Sequence, residues 1–115
     1  MVAASQHERR RFMRFHTELE TDYWAHGMTA AGRARVLDVS RAGMRVALAH
    51  PVPTGAPVEF TLQLPGDNSP IFASGDVAWS STGAGPAGVG IRFRQIKSPD
   101  LARVLDYAYA QWLSR

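Results

Sequence analysis

The chain has 115 residues, of which 45% are hydrophobic and 20% charged, with thirteen Lys and Arg against ten Asp and Glu for a formal net charge of +3. That balance suits one globular domain with one modest core and excludes a disordered or collagen-like chain. The absence of cysteine excludes disulfides, thiolate metal sites and thiol nucleophiles.

The cations are unevenly chosen. Lys97 is the only lysine, so twelve of the thirteen are arginines. Arginine is the planar, multi-donor cation that suits phosphates and guanine edges. The N-terminal "MVAASQHERRRF" carries no apolar run of signal-peptide length. No stretch approaches the roughly 20 apolar residues of a membrane span. The expectation is a soluble, cytoplasmic protein without direct membrane insertion.

In chain order, residues 1–7 read as a flexible N-terminus and residues 8–115 as a single domain. "ERRRFMRF" (8–15) opens that domain with three adjacent arginines and a fourth, Arg14. Strand-length segments follow, separated by turn signals. In 14–21, Phe15, Thr17 and Leu19 share a face. In 33–39, Arg33, Arg35 and Leu37 alternate with Ala34, Val36 and Asp38. Segment 44–49 groups Met44, Val46 and Leu48, and segment 58–64 groups Val58, Phe60, Leu62 and Leu64. Segment 71–80 alternates less cleanly, with Gly75 as a bulge or bend, and 88–93 is short and glycine-rich. Trp24, Trp79 and the phenylalanines read as mostly inward. Six strands spaced by turns predict an antiparallel sandwich or barrel. The period then changes: Ser98 reads as a helix N-cap, Pro99 as the first helical residue and Asp100 as first-turn acid. Leu101, Val104, Leu105, Ala108 and Trp112 recur at helical spacing over about four turns.

Two short motifs carry the chemistry. Arg10 and Arg14 are four apart, so they share a face on a helix and on a strand alike, while Arg11 points elsewhere. Two such guanidinium groups can clamp phosphate oxygens or the O6 and N7 edge of guanine, although a basic run near a terminus is also what a solvated tail looks like. The second motif is "DVSRAG" (38–43). Asp38 can accept from guanine N1 and N2, Ser40 can bond phosphate or base, and Gly43 permits positive φ or close backbone approach. Alone it also reads as a well-made turn.

Together, Arg10-Arg11-Phe12-Met13-Arg14 and Asp38-Val39-Ser40-Arg41-Ala42-Gly43 resemble the signature of the PilZ domains, bacterial receptors for cyclic di-GMP: Arg-x-x-x-Arg, then Asp/Asn-x-Ser-x-x-Gly some tens of residues later. "GDVAWS" and "GVGIRF" resemble the family's Trp-ending strand and its closing glycine-rich strand, so the likeness runs from about residue 8 to the C-terminal helix. The resemblance implies a mainly β fold, a six-stranded antiparallel barrel with a C-terminal α-helix. The ligand, cyclic di-GMP, would bind outside the barrel under the N-terminal arginine segment. By position, Arg10 and Arg14 would hold guanine and phosphate, Asp38 and Ser40 a guanine, and Gly43 would set the turn. An arginine at the position of Arg9 is associated in that family with a stacked pair of ligand molecules. Trp79 stands where a side chain can face the ligand or enter the core.

The implied role is a non-enzymatic sensor that changes conformation on binding and signals to an unidentified protein partner. It implies no cofactor beyond the ligand and no nucleic-acid partner. His7, His16, His26 and His50 show no metal-ligand spacing, and no nucleophile elbow or phosphate loop is present. The alternatives are a small barrel that binds single-stranded nucleic acid through its basic N-terminus, and a structural adaptor in motility or surface assembly that leaves the nucleotide site unused.

Overall fold

The computed structural model describes residues 14–50, 52–81 and 88–114. Among the described residues, six strands, β1 (Phe15–Ala25), β2 (Gly32–Val39), β3 (Gly43–Leu48), β4 (Pro57–Leu62), β5 (Ile71–Ser80) and β6 (Gly88–Ile96), precede one helix, α1 (Ser98–Leu113). The strands pair antiparallel throughout and close into a barrel in the order β1-β2-β3-β6-β5-β4, with β4 returning to β1. Closure removes the free edges that an open six-stranded sheet would present.

Period-two alternation builds the interior. Met44, Val46 and Leu48 point in from β3, and Val58, Phe60 and Leu62 from β4. Leu64 is buried just past the end of β4. β1 carries its inward series through Thr17, Leu19, Thr21, Tyr23 and Ala25. It therefore runs four residues past the segment expected from 14–21. Tyr23 and Ala25 continue the alternation, and β1 pairs with β4 along Thr21–Ala25. The inward threonines do not break the core: Thr21 Oγ1 donates to the Thr61 carbonyl at 2.8 Å, and Thr17 Oγ1 donates to Gln111 on the helix.

The helix lies over β1 and β2. Val104 and Ala108 are buried against the barrel. Trp112 is half exposed and packs at the start of β1, where the Phe15 ring meets Tyr109 and Trp112 edge-on at 5.5 and 6.4 Å. The cap differs from the expectation. Lys97, with extended backbone, is the N-cap, and no side chain among the described residues caps the helix. The Lys97 carbonyl accepts the Leu101 N–H at 2.9 Å, so the helix starts one residue earlier, with Ser98 inside its first turn. Proline costs nothing there, because first-turn N–H groups have no intrahelical partner.

Candidate functional site

Strict alternation along β2 would place Asp38 inside the barrel with Ala34 and Val36. A bulge prevents it. Between β2 and β3, Val36 pairs with Val46 and Asp38 with Arg45, leaving Leu37 as the extra residue. Val36 and Val39 are consequently both buried inward, and Asp38 turns to the outer face. Bulges re-aim side chains in this way.

The Asp38 carboxylate is 11% exposed and holds an arginine on each oxygen. Arg14 Nη1 donates to Oδ1 at 2.7 Å, and Arg45 Nε donates to Oδ2 at 2.8 Å. A carboxylate this far out of water needs donors, and two charge-assisted bonds supply them. Arg14 thus joins the N-terminal motif to the second motif, 24 residues away.

Ser40 and Gly43 form the β2–β3 turn. The Ser40 N–H donates to the Gly43 carbonyl at 2.8 Å, and Ser40 Oγ accepts from the N–H groups of Ala42 and Gly43 at 3.2 and 3.3 Å. The hydroxyl is buried and committed to the turn. Gly43 is not at positive φ; the glycines that are, among the described residues, are Gly27, Gly55 and Gly66. Its requirement is steric, since a Cβ there would stand 1.9 Å from the Ile91 carbonyl oxygen on the paired strand β6. The close approach is to the neighbouring strand.

Trp79 is outward and 42% exposed, and so is Trp24, while Phe72 is 66% exposed; the inward reading of these aromatics fails. The register shift between Val77 and Trp79, with Ala78 as the extra residue, changes the phase of β5. The shift between Ser74 and Gly75 puts its extra residue, Arg94, on β6, so Gly75 stands opposite a bulge while β5 itself keeps Ile71, Ala73, Gly75 and Val77 inward. Trp79 pairs with Gly90, which pairs with Arg45, which pairs with Asp38. These four residues therefore form one row across β2, β3, β6 and β5. A Cβ on Gly90 would fall 2.1 Å from Trp79 Nε1, so only glycine lets the indole lie over that strand. Arg14, Ala42, Gly43, Trp79, Gly90 and Arg92 line a shallow concavity of about 180 Å³ beside the row.

The structure therefore gathers Arg14, Asp38, Gly43 and Trp79 on one outer face, with Ser40 behind them in the turn. Arg9 and Arg10 lie outside the described residues. Arg45 and Arg92 were missed by the motif reading. The alternation of buried Met44 and Val46 around Arg45 was the available signal. Chemically, the face offers an acceptor for guanine N–H donors, guanidinium groups for phosphate oxygens and an indole for stacking. A concavity of this size cannot enclose a dinucleotide, so such a ligand would lie across the surface.

The barrel is similar in fold to three solved structures. The structure of Bacillus subtilis inhibitor of motility MotI/DgrA matches with a TM-score of 0.75 at 17% identity, over 93% of this chain and 53% of that one. The present chain thus spans about half of that protein. The PilZ domain of YcgR from Escherichia coli, solved with cyclic di-GMP, matches with a TM-score of 0.67 at 15% identity, over 89% of this chain and 90% of that one. The PilZ domain of CeSA from a cellulose-synthesising bacterium matches with a TM-score of 0.58 at 12% identity, over 86% of this chain and 97% of that one. No curated protein matches the sequence. The family model for the PilZ domain matches residues 8–110, including both motifs, and the chain belongs to the PilZ domain family.

Proposed function

We propose that this domain is a cyclic di-GMP sensor that binds the nucleotide on the outer face around Asp38 and passes the change to a protein partner. The observation that carries the reading is the Arg14–Asp38 contact, which brings the two motifs together beside Trp79. The solved PilZ domain of YcgR with cyclic di-GMP supports it by analogy of fold.

The mechanism is an exchange of donors. Without ligand, Arg14 and Arg45 satisfy Asp38. A guanine offers N1–H and N2–H to the same carboxylate and replaces Arg14 without leaving it unpaired. The freed Arg14 then joins Arg10 and Arg9 on the phosphates and the second purine, where guanidinium groups both bond and stack. Trp79 supplies a platform from the opposite end of the row. Rearrangement of the arginine segment is the output, and Arg9 sets a stacked pair of ligands in place of one. No step requires bond making or breaking, which is consistent with a receptor and not an enzyme.

Nucleic-acid binding has less support. Trp24 and Phe72 are exposed, but they share their face with Glu59, which repels a polyanion, and with Asp22, which already occupies Arg33. Titration calorimetry tests the proposal. The wild type should saturate with cyclic di-GMP, at two ligands per chain, and show no heat with GMP or GTP. Arg14→Ala should weaken binding at least about 100-fold, the scale expected for losing charge-assisted bonds to phosphate. Absence of heat with the wild type would overturn the reading.

A further inference from the structure

The outer face away from the nucleotide row carries a second feature. Trp24 pairs with Glu59, Glu59 with Ser74 and Ser74 with Gln95, forming a row across β1, β4, β5 and β6. Thr61 and Phe72 pair beside it. The small Ser74 and Thr61 leave a groove of about 390 Å³ on the outside of the barrel, bounded by Glu59, Phe72, Gln95 and Lys97. Phe72 is the most exposed large apolar side chain among the described residues, at 66%. The Phe72 side chain points away from the core.

The groove is polarised. At one end, Trp24 and Glu59 are direct cross-strand neighbours on the same face. An indole beside a carboxylate is half of a receptor for a guanidinium or ammonium group. At the other end stands Lys97, fixed by its place as the α1 N-cap. Phe72 lies between. We infer that this groove docks a helix of a partner protein that presents an arginine, an apolar residue and an acidic residue along one face. The arginine meets Trp24 and Glu59, the apolar side chain packs on Phe72, and the acid meets Lys97. The spacing fits: Glu59 and Lys97 are two strand spacings apart across the sheet and two residues apart along it, about 12 Å, and residues i and i+7 of a helix are about 10.5 Å apart, a difference that long Arg and Glu side chains span.

This site is independent of the nucleotide reading, because its residues include none of Arg14, Asp38, Arg45 or Trp79. The two faces share strands β5 and β6, so one barrel can hold nucleotide and partner together. The test is amide NMR of the full chain titrated with a synthetic alanine-based helix carrying Arg, Leu and Glu at i, i+4 and i+7. Control peptides replace Arg by Glu, or Leu by Ala. Shifts should concentrate at Trp24, Glu59, Phe72, Ser74, Gln95 and Lys97, and each control should bind at least tenfold more weakly. Phe72→Ser, a surface change, should weaken the parent peptide about tenfold. Glu59→Lys should reverse the preference toward the Arg-to-Glu control peptide. No shifts at millimolar peptide, equal shifts with the controls, or shifts centred on the Asp38 face would each overturn the inference. A separate cyclic di-GMP titration reports on the other face, so either reading can fail without the other.

Discussion

At Asp38, position in the strand and chemistry pull against each other. A carboxylate in an inward phase would be buried unpaired, and the bulge at Leu37 turns it to two arginines instead. The two arginines should not be equivalent in stability. Arg14 is close to the end of the sheet and half exposed, so its removal leaves Asp38 with Arg45 and costs little. Arg45 is set within β3, and Arg45→Met should destabilise the fold by about 1–2 kcal/mol because a nearly buried acceptor loses its fixed donor. Denaturant unfolding checks this, and adding Asp38→Asn to the Arg45→Met variant should recover part of the loss. Gly43 is constrained by backbone: no side chain can move to relieve a Cβ at 1.9 Å from the Ile91 oxygen. Gly43→Ala should cost about 3 kcal/mol or more, seen as a large drop in the unfolding midpoint. The same change to a glycine chosen for φ alone would strain only its own turn.

Between elements, the helix is tied to the barrel at two places. Near its C-terminal end, Gln111 accepts from Thr17 while Phe15, Tyr109 and Trp112 cluster. Near its start, Arg103 donates to Asp100, to Asp67 and to the Ser69 carbonyl, pinning the β4–β5 loop against α1. Asp67 also accepts the Ser69 N–H at 2.9 Å. That backbone bond first, and the Arg103 guanidinium second, hold the Asp67 carboxyl below its ordinary value of 3.8. A depressed folded value means the stabilisation is complete above pH 3.8 and is lost as pH falls through the lower, folded value. Asp67→Asn should therefore lower the melting temperature slightly at pH 7, and the gap to wild type should close in the acid range. Thermal scans of both proteins from pH 7 to pH 2 check the sign. A gap that stays constant with pH would show that the carboxylate charge is not what holds the loop.

For the whole molecule, closure makes each strand depend on two neighbours, so unfolding should be one cooperative transition. Any ligand that binds only the folded barrel adds to its stability by mass action. Each cyclic di-GMP bound at about 100 times its Kd should contribute about 2.7 kcal/mol, or about 10 °C in melting temperature for a domain of this size. Differential scanning fluorimetry should show at least that rise in the wild type and no more than a small fraction of it in Arg14→Ala. Charge is also distributed at this scale. Arg14, Arg45 and Arg92 lie on the nucleotide face, while Glu20, Asp22 and Glu59 lie on β1 and β4. Arg33 pairs with Glu20 and Asp22, so the excess of the modest net charge of +3 is expressed mainly on the nucleotide face.

The sequence by itself determined the number and order of strands, the terminal helix and the family. Alternation such as Met44–Val46–Leu48 and the helical recurrence of Val104 and Ala108 are local consequences of backbone period, and the two motifs are contiguous in the chain. It also placed Asp38 and Arg14 in one signature. What only the tertiary structure decided depends on which strand lies beside which. Nothing local to Asp38 reveals that one extra residue opposite β3 turns it outward, nor that Gly43 is a glycine because of Ile91. The direction of Trp79 is set by a register shift against β6, which its own segment does not show. Arg45 entered the site, and Trp24 came to stand beside Glu59, through cross-strand pairing. Register is fixed by closing the whole barrel, and that is a balance of packing over six strands that no single segment encodes.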